Sequence, residues 1–348
     1  MSAVGSSNPG YVVARVRARR GQLYGDEEYR KLVRMSPAEI ARFMEESTYE
    51  SEINALGSRH GGVDLVEYAL NRNLAVQFEA ILEWSEGELY DLVARYLRKF
   101  DAWNLKTVIR GVYTDASREA IETDLIRAGE FDDHQIRRLL DADSIEAVVE
   151  AVEETIYGES LRAAYPAFEE SDVLVPLENA VDRAFYDRLL TGLPGGEAVR
   201  QYESFLEAEV DFRNATNALR LARSGAEIDP AEYFIDGGQL FTRTSLARLA
   251  RNLDELVEYV AGSQYADDLG PALRELEEAD SLIAFEQATD EALLAYADKL
   301  GTIHPVSVTP VISYILAKER EVENIRAIAR GKEAGLSADA IESELVIT

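Results

Sequence analysis

One helical stretch occurs three times in this chain, and that repetition limits the fold more than any other feature. The copies read FDAWNLKTVIRG (100–111), VDFRNATNALRL (210–221) and REVENIRAIARG (320–331). Each keeps an acid, an asparagine and an arginine at one spacing: Asp101, Asn104 and Arg110; Asp211, Asn214 and Arg220; Glu321, Asn324 and Arg330. Successive copies lie 110 residues apart. A second set lies 108 apart: SPAEIARFMEESTY (36–49), SIEAVVEAVEETIY (144–157) and NLDELVEYVAGSQY (252–265). A third element recurs as EYALNRNL (67–74), ENAVDRAF (178–185) and EQATDEAL (286–293). Three elements in one order imply three copies of one unit. The period exceeds that of a solenoid repeat and approaches a small domain. The expected divisions are 1–128 (a loose lead-in over 1–10, then the first repeat), 129–236 and 237–348.

The units read as helical. Ser36, Pro37 and Glu39 make a helix start, with a capping hydroxyl, proline at the first position and a capping-box acid. Ser144 and Asn252 hold the cap position in the other copies. Behind each cap, apolar residues follow at helical spacing: Ile40 and Met44, Val148 and Val152, Leu256 and Val260. No segment alternates long enough for a strand. A helix over 63–84 and another from about 86 to 110 are expected, the latter with Leu89, Val93, Tyr96 and Phe100 as its apolar stripe. The fold class is all-α.

The signature asparagine falls on that stripe. Asn104 follows Phe100 by four residues and precedes Val108 by four. A buried amide is costly unless paired. The acid three residues earlier is a candidate acceptor, and the pair is expected to fix how its helix docks, as a lone asparagine fixes register in a coiled coil. A catalytic reading needs a nucleophile, base or metal beside it, and none repeats with it. The arginine lies in the last turn before Gly111 or Gly331, which reads as helix termination. The tyrosines closing the second element (Tyr49, Tyr157, Tyr265) read as packing residues whose hydroxyls reach a polar group at a bundle edge, with a shared ligand site as the competing reading. Lys318 and Glu319 interrupt an apolar series (Val311, Ile315, Val322, Ile325) and read as a solvated face.

Charge and missing motifs narrow the function. The 65 acids outnumber the 36 bases, giving a net charge of −29. Such a field repels phosphate backbones and argues against nucleic acid as a partner. Acid excess with few lysines reads as a surface kept hydrated in concentrated salt, where the Debye length is only ~3 Å at 1 M. A surface for a basic partner is the alternative. The densest basic stretch is YVVARVRARRGQLY (11–24), with Arg15, Arg17, Arg19 and Arg20. It reads either as a helix ending at Gly21 or as a contact for an acidic partner or anionic headgroups. There is no cysteine. No apolar run approaches the ~20 residues of a spanning helix, and the start is not a signal peptide. A P-loop, a dinucleotide-binding glycine motif and a nucleophile elbow are all missing. His60, His134 and His304 stand far apart, and none completes a Glu-x-x-His pair, so a carboxylate-bridged metal bundle lacks support. No catalytic, cofactor-binding or metal site is expected.

Several stretches resemble the C subunit of the archaeal A-type (V-type) ATP synthase, the counterpart of the d subunit in eukaryotic V-type ATPases. They are YVVARVRARRGQLY, ESTYESEI, YLRKFDAWNLKTVIRG, AFYDRLL with EVDFRNATNALR, YFIDGGQL and, most specific, YILAKEREVENIRAIARGKEAGLSADAI. Together they span nearly the whole chain, and the acidic background points to a haloarchaeal version. The resemblance implies three similar helical bundles arranged as a funnel. It implies a non-catalytic rotor part on the cytoplasmic side of the membrane, peripheral, between the axle formed by the D and F subunits and the proteolipid ring. No cofactor and no small-molecule substrate are implied. The competing expectations are an all-α scaffold outside the synthase, and an all-α hydrolase or metal enzyme.

Overall fold

In the computed structural model, residues 7–224, 229–279, 282–342 and 345 are described, and every regular element among them is helical, with no strand. Residues 1–6 of the expected lead-in lie outside them. The first helices are α1 (Pro9–Arg20), α2 (Asp26–Leu32), α3 (Pro37–Met44), α4 (Glu50–Leu56) and α5 (Gly62–Trp84). Then come α6 (Glu88–Leu97), α7 (Lys99–Tyr113), α8 (Arg118–Asp124), α9 (Asp133–Leu140) and α10 (Ile145–Ala151). α11 (Gly158–Ser171), α12 (Val175–Leu190) and α13 (Glu197–Ser224) precede a single 3-10 turn, Pro230–Tyr233. After it come α14 (Arg243–Leu249), α15 (Leu253–Ala261), α16 (Ala266–Ala279) and α17 (Leu282–Ile303), and last α18 (Thr309–Glu333) and α19 (Ala338–Glu342).

The helices form two compact units, Met1–Ala151 with Val311–Thr348, and Val152–Pro310. In the first, the 23-residue α5 is a central strut. It packs against α1, α3, α4, α6 and α8 through Val66, Leu70, Leu74, Phe78 and Ile81, all buried. In the second, the 28-residue α13 plays that part, against α14, α15 and α17. Its core joins Phe212, Leu246, Leu256, Tyr265, Leu269 and Phe285. Each such side chain contributes about 1.5–3 kcal/mol by leaving water.

The expected caps form. The Ser36 hydroxyl accepts from the Glu39 N–H at 3.4 Å, and Glu39 Oε2 accepts from the Ser36 N–H at 2.8 Å. Ser144 accepts from Ala147 N–H at 3.2 Å, and Asn252 from Glu255 N–H at 3.3 Å. Each cap satisfies a backbone donor that the first helical turn leaves open.

Two expectations are corrected. The helix read over 86–110 is two, because Arg98 interrupts the helical bonding between α6 and α7. The stripe of Leu89, Val93, Tyr96 and Phe100 is buried across that break. Gly111 and Gly331 do not end their helices, which continue to Tyr113 and Glu333. They are contact points. A methyl on Gly111 would overlap the Ile121 side chain, and one on Gly331 would sit 2.8 Å from Ile341 Cγ1. The short helices α8 and α19 thus close on α7 and α18 through the same glycine–isoleucine contact. As expected, α1 ends at Gly21 with Arg17, Arg19 and Arg20 in its last turn, and its arginines also make contacts within the fold. Arg15 and Arg19 stack on Trp84 at 4.6 and 4.3 Å, Arg19 donates to Gln77 O at 3.2 Å, and Arg20 donates to Ser313.

Candidate functional site, a repeated helix clamp

In each copy the signature acid and asparagine bond to residues remote in sequence, through the backbone in the first two copies and through backbone and side chains in the third. Asp101 and Asn104 sit on α7, 2% and 1% exposed. Asn104 Nδ2 donates to Ile126 O at 2.8 Å, and Asn104 Oδ1 accepts from Ile126 N–H at 2.8 Å. One amide therefore pairs both backbone groups of one residue, as a neighbouring strand would. Asp101 accepts from the N–H groups of Glu130 and Phe131 at 2.8 and 3.0 Å. Burial pushes its carboxyl up to about 7, and those two N–H groups pull it back down.

The second copy repeats this arrangement on α13. Asn214 donates to Ile235 O at 2.8 Å and accepts from Ile235 N–H at 3.0 Å. Asp211 accepts from Gln239 and Leu240 N–H, each at 2.9 Å, and from the Tyr265 hydroxyl. Burial raises the Asp211 carboxyl, and the backbone donors oppose it.

The third copy, on α18, holds the N-terminal part of the chain. Glu321 Oε1 accepts from Tyr24 N–H at 2.7 Å, and Glu321 Oε2 from the Tyr49 hydroxyl at 2.8 Å. Asn324 is hydrogen-bonded to Tyr29. Here a cation joins in. Lys318 Nζ lies 2.5 Å from Glu321, 2.8 Å from the Tyr49 hydroxyl and 4.0 Å from the Tyr49 ring centroid. The solvated reading of Lys318 is therefore wrong: the residue is 1% exposed. Burial lowers its pKa, and Glu321 opposes that. Glu319 pairs with Lys99 at 2.8 Å.

Two finer expectations also change. The acid does not accept from the asparagine three residues on; both side chains grip the same segment instead. Tyr49 and Tyr265 are packing residues whose hydroxyls reach a polar group, as expected, but that group is the buried signature acid and not one at an edge. Tyr157 is likewise buried. The arginines have partners beyond their helix ends. Arg330 forks onto Glu67, and Arg220 lies 2.6 Å from Glu286. Glu67 and Glu286 each open a copy of the third repeated element. Arg110 is exposed near the end of α7.

The sequence reading missed the held segments. A Cβ on Gly129 or Gly238 would overlap the carboxylate of Asp101 or Asp211, so only glycine lets the loop come this close. The signal was present. GQLY (21–24), GEF (129–131) and GQLF (238–241) recur at nearly the period of the signature. Gly21 makes no such approach. There the longer Glu321 reaches further along the loop, and Lys318 adds a third donor.

Among the described residues, no group of three histidines, acids or cysteines is placed to hold a metal. None of their helices is long and apolar enough to cross a membrane. One cavity of about 500 Å³ opens in the first unit beside α4, α5 and α8, with Arg59, His60, Tyr68, Arg72 and Arg127 in its wall.

Comparison with known proteins places these contacts in a family. The sequence family described as "ATP synthase (C/AC39) subunit" matches residues 12–344. The A-type ATP synthase C subunit of Halorubrum lacusprofundi is 82% identical over 348 residues, covering all of both chains. That of Haloferax volcanii is 69% identical over 347 residues, again covering both. That of Methanosarcina mazei is 35% identical over 350 residues, covering 99% of this chain and 94% of its own. All three clamps fall inside the matched span, and the chain belongs to the ATP synthase (C/AC39) subunit family.

Proposed function

We propose that the chain is a non-catalytic rotor subunit of an archaeal A-type ATP synthase. In this reading it joins the axle formed by the D and F subunits to the proteolipid ring and passes torque between the ring and the catalytic head. It sits on the cytoplasmic face, peripheral to the membrane. The repeats over 1–128, 129–236 and 237–348 are three structural copies arranged as a funnel. The observation that carries the reading is the match over 12–344, together with A-type ATP synthase C subunits that align over their full length.

The clamps support a mechanical role. A torque coupler must not yield at the joins between its parts. The acid of each signature helix ties it to a segment beyond its own copy by two hydrogen bonds of 2.7–3.0 Å. The third runs back to the start of the chain, so no copy is left with an untied end. Satisfied polar networks in a low-dielectric interior rigidify and fix one arrangement. The nine signature residues are thus proposed as structural ties rather than reactive groups.

The test is isolation of the tagged chain from gently solubilised haloarchaeal membranes in molar KCl. The D and F subunits and the proteolipid should co-isolate in fixed ratio, and the chain alone should not turn over ATP. A chain that comes out free, or with proteins foreign to the synthase, would overturn the proposal and favour an unrelated all-α scaffold.

A further inference from the structure

The cavity beside α4, α5 and α8 reverses the sign of the chain's charge. Its wall carries Arg59, Arg72, Arg127 and His60 against Glu119 and Glu122, in a protein of net charge −29. Arg127 is already engaged, 3.1 Å from Glu122 and 2.5 Å from Asp133. Arg59 and Arg72 are exposed and make no ion pair with any described residue. With acids so abundant, two guanidiniums in one cavity wall that no carboxylate pairs are an unfilled demand.

The wall behind them is fixed. His60 packs on Tyr68 at 4.4 Å between ring centroids, and the Tyr68 hydroxyl is 2.5 Å from Thr123 Oγ1. Asn71 is spent on Thr123 O at 2.8 Å and on Arg326 at 2.6 Å. Arg72 lies one helical turn beyond Tyr68 on α5, so the two rise on one face. Leu56 and Leu125 supply apolar wall between the charges.

We propose that this cavity seats an acidic segment of a neighbouring protein of the complex, with an aspartate or glutamate forked by Arg59 and Arg72. The proposal rests on the reading of the chain as part of a synthase. Guanidinium matches a carboxylate with two parallel donors. At molar salt the Debye length is ~3 Å, so long-range attraction is screened and only a pair in contact counts. A polypeptide also covers Leu56 and Tyr68, excludes water from the pair and strengthens it. A free small anion lacks that cover and competes with molar chloride.

Arginine footprinting with phenylglyoxal tests this, comparing the isolated chain with the intact complex in molar KCl by mass spectrometry. Arg59 and Arg72 should label readily in the isolated chain and at least about fivefold less in the complex. An Arg59→Gln/Arg72→Gln variant should melt as the parent chain does yet rebind chain-depleted complex about tenfold or more weakly. Equal labelling in both states would overturn the proposal, as would unweakened rebinding by the variant. Protection of the isolated chain by millimolar inorganic phosphate would reassign the site to a free anion and overturn it too. Failure of the parent chain to rebind is a separate outcome; it defeats the synthase reading and this proposal with it.

Discussion

Lys318→Met is expected to destabilise the chain by about 3–5 kcal/mol, the cost of breaking a buried ion pair by removing one partner. Lys318 and Glu321 have side chains only 1% exposed and lie 2.5 Å apart. Without the cation, Glu321 keeps only the Tyr24 N–H and the Tyr49 hydroxyl as donors. Tyr49 also loses the ammonium 4.0 Å from its ring centroid. Methionine fills most of the volume, so packing loss is a minor part. Denaturant unfolding in molar KCl gives the number. The Lys318→Met/Glu321→Gln double variant should be more stable than Lys318→Met alone, since glutamine removes the stranded charge and keeps an acceptor for Tyr24. A loss below about 1 kcal/mol in the single variant would mean that water reaches the pair, since exposed ion pairs contribute about that much or less.

Asn104→Leu should cost about 1–3 kcal/mol, for a different reason. Leucine suits the apolar seam, yet it strands the buried N–H of Ile126; the Ile126 C=O loses one donor and keeps the Ala128 N–H at 3.0 Å. A buried backbone group left unpaired costs about 1–3 kcal/mol. Asn214→Leu should cost more, about 2–6 kcal/mol, because it removes the partner of both the C=O and the N–H of Ile235. The same denaturant measurement reads both. If either variant matches the parent chain, the reciprocal bonds at 2.8–3.0 Å do not constrain the native state. A side-chain reading of the signature predicts a different pattern. If the asparagine served mainly its neighbouring acid, Asp101→Asn would repair the loss; in the clamp it adds to it.

What could be read in advance follows from where the information lies. Helical class and the starts at Ser36, Ser144 and Asn252 are local, set by periodicity and capping chemistry within a few residues. That Asn104 is buried also followed, because Phe100 and Val108 flank it at helical spacing. Its partner did not follow. Periodicity reports which face of a helix is buried, not which backbone lies across from it, and Ile126 is in a loop between α8 and α9. Lys318 was misread for the same reason. A lysine in an apolar run looks solvated until Tyr49 and Glu321 are placed around it. Gly111 and Gly331 looked like terminators because a glycine after a basic residue commonly ends a helix. The isoleucine ten residues after each, Ile121 and Ile341, was the sign of packing instead.

The clamp also explains why repeat and compact unit need not coincide. α18 belongs in sequence to the third repeat, yet Glu321 and Arg330 bond Tyr24 and Glu67 within the unit that contains the N-terminus. In the same way α7 holds residues 126–131, and α13 holds 235–240. Thus α7 and α13 each hold a segment that follows them in sequence, and α18 holds one near the start of the chain.

Hydrogen exchange at the held backbone is the most direct test of that scheme. The donors Tyr24, Ile126, Glu130, Phe131, Ile235, Gln239 and Leu240 all lie outside helices, where amides ordinarily exchange fast. Bonded to buried Glu321, Asn104, Asp101, Asn214 and Asp211, they should exchange as slowly as amides within α7, α13 and α18. Exchange at the rate of the loop around Gly192 to Gly195 would mean that the three signature helices do not tie the chain together.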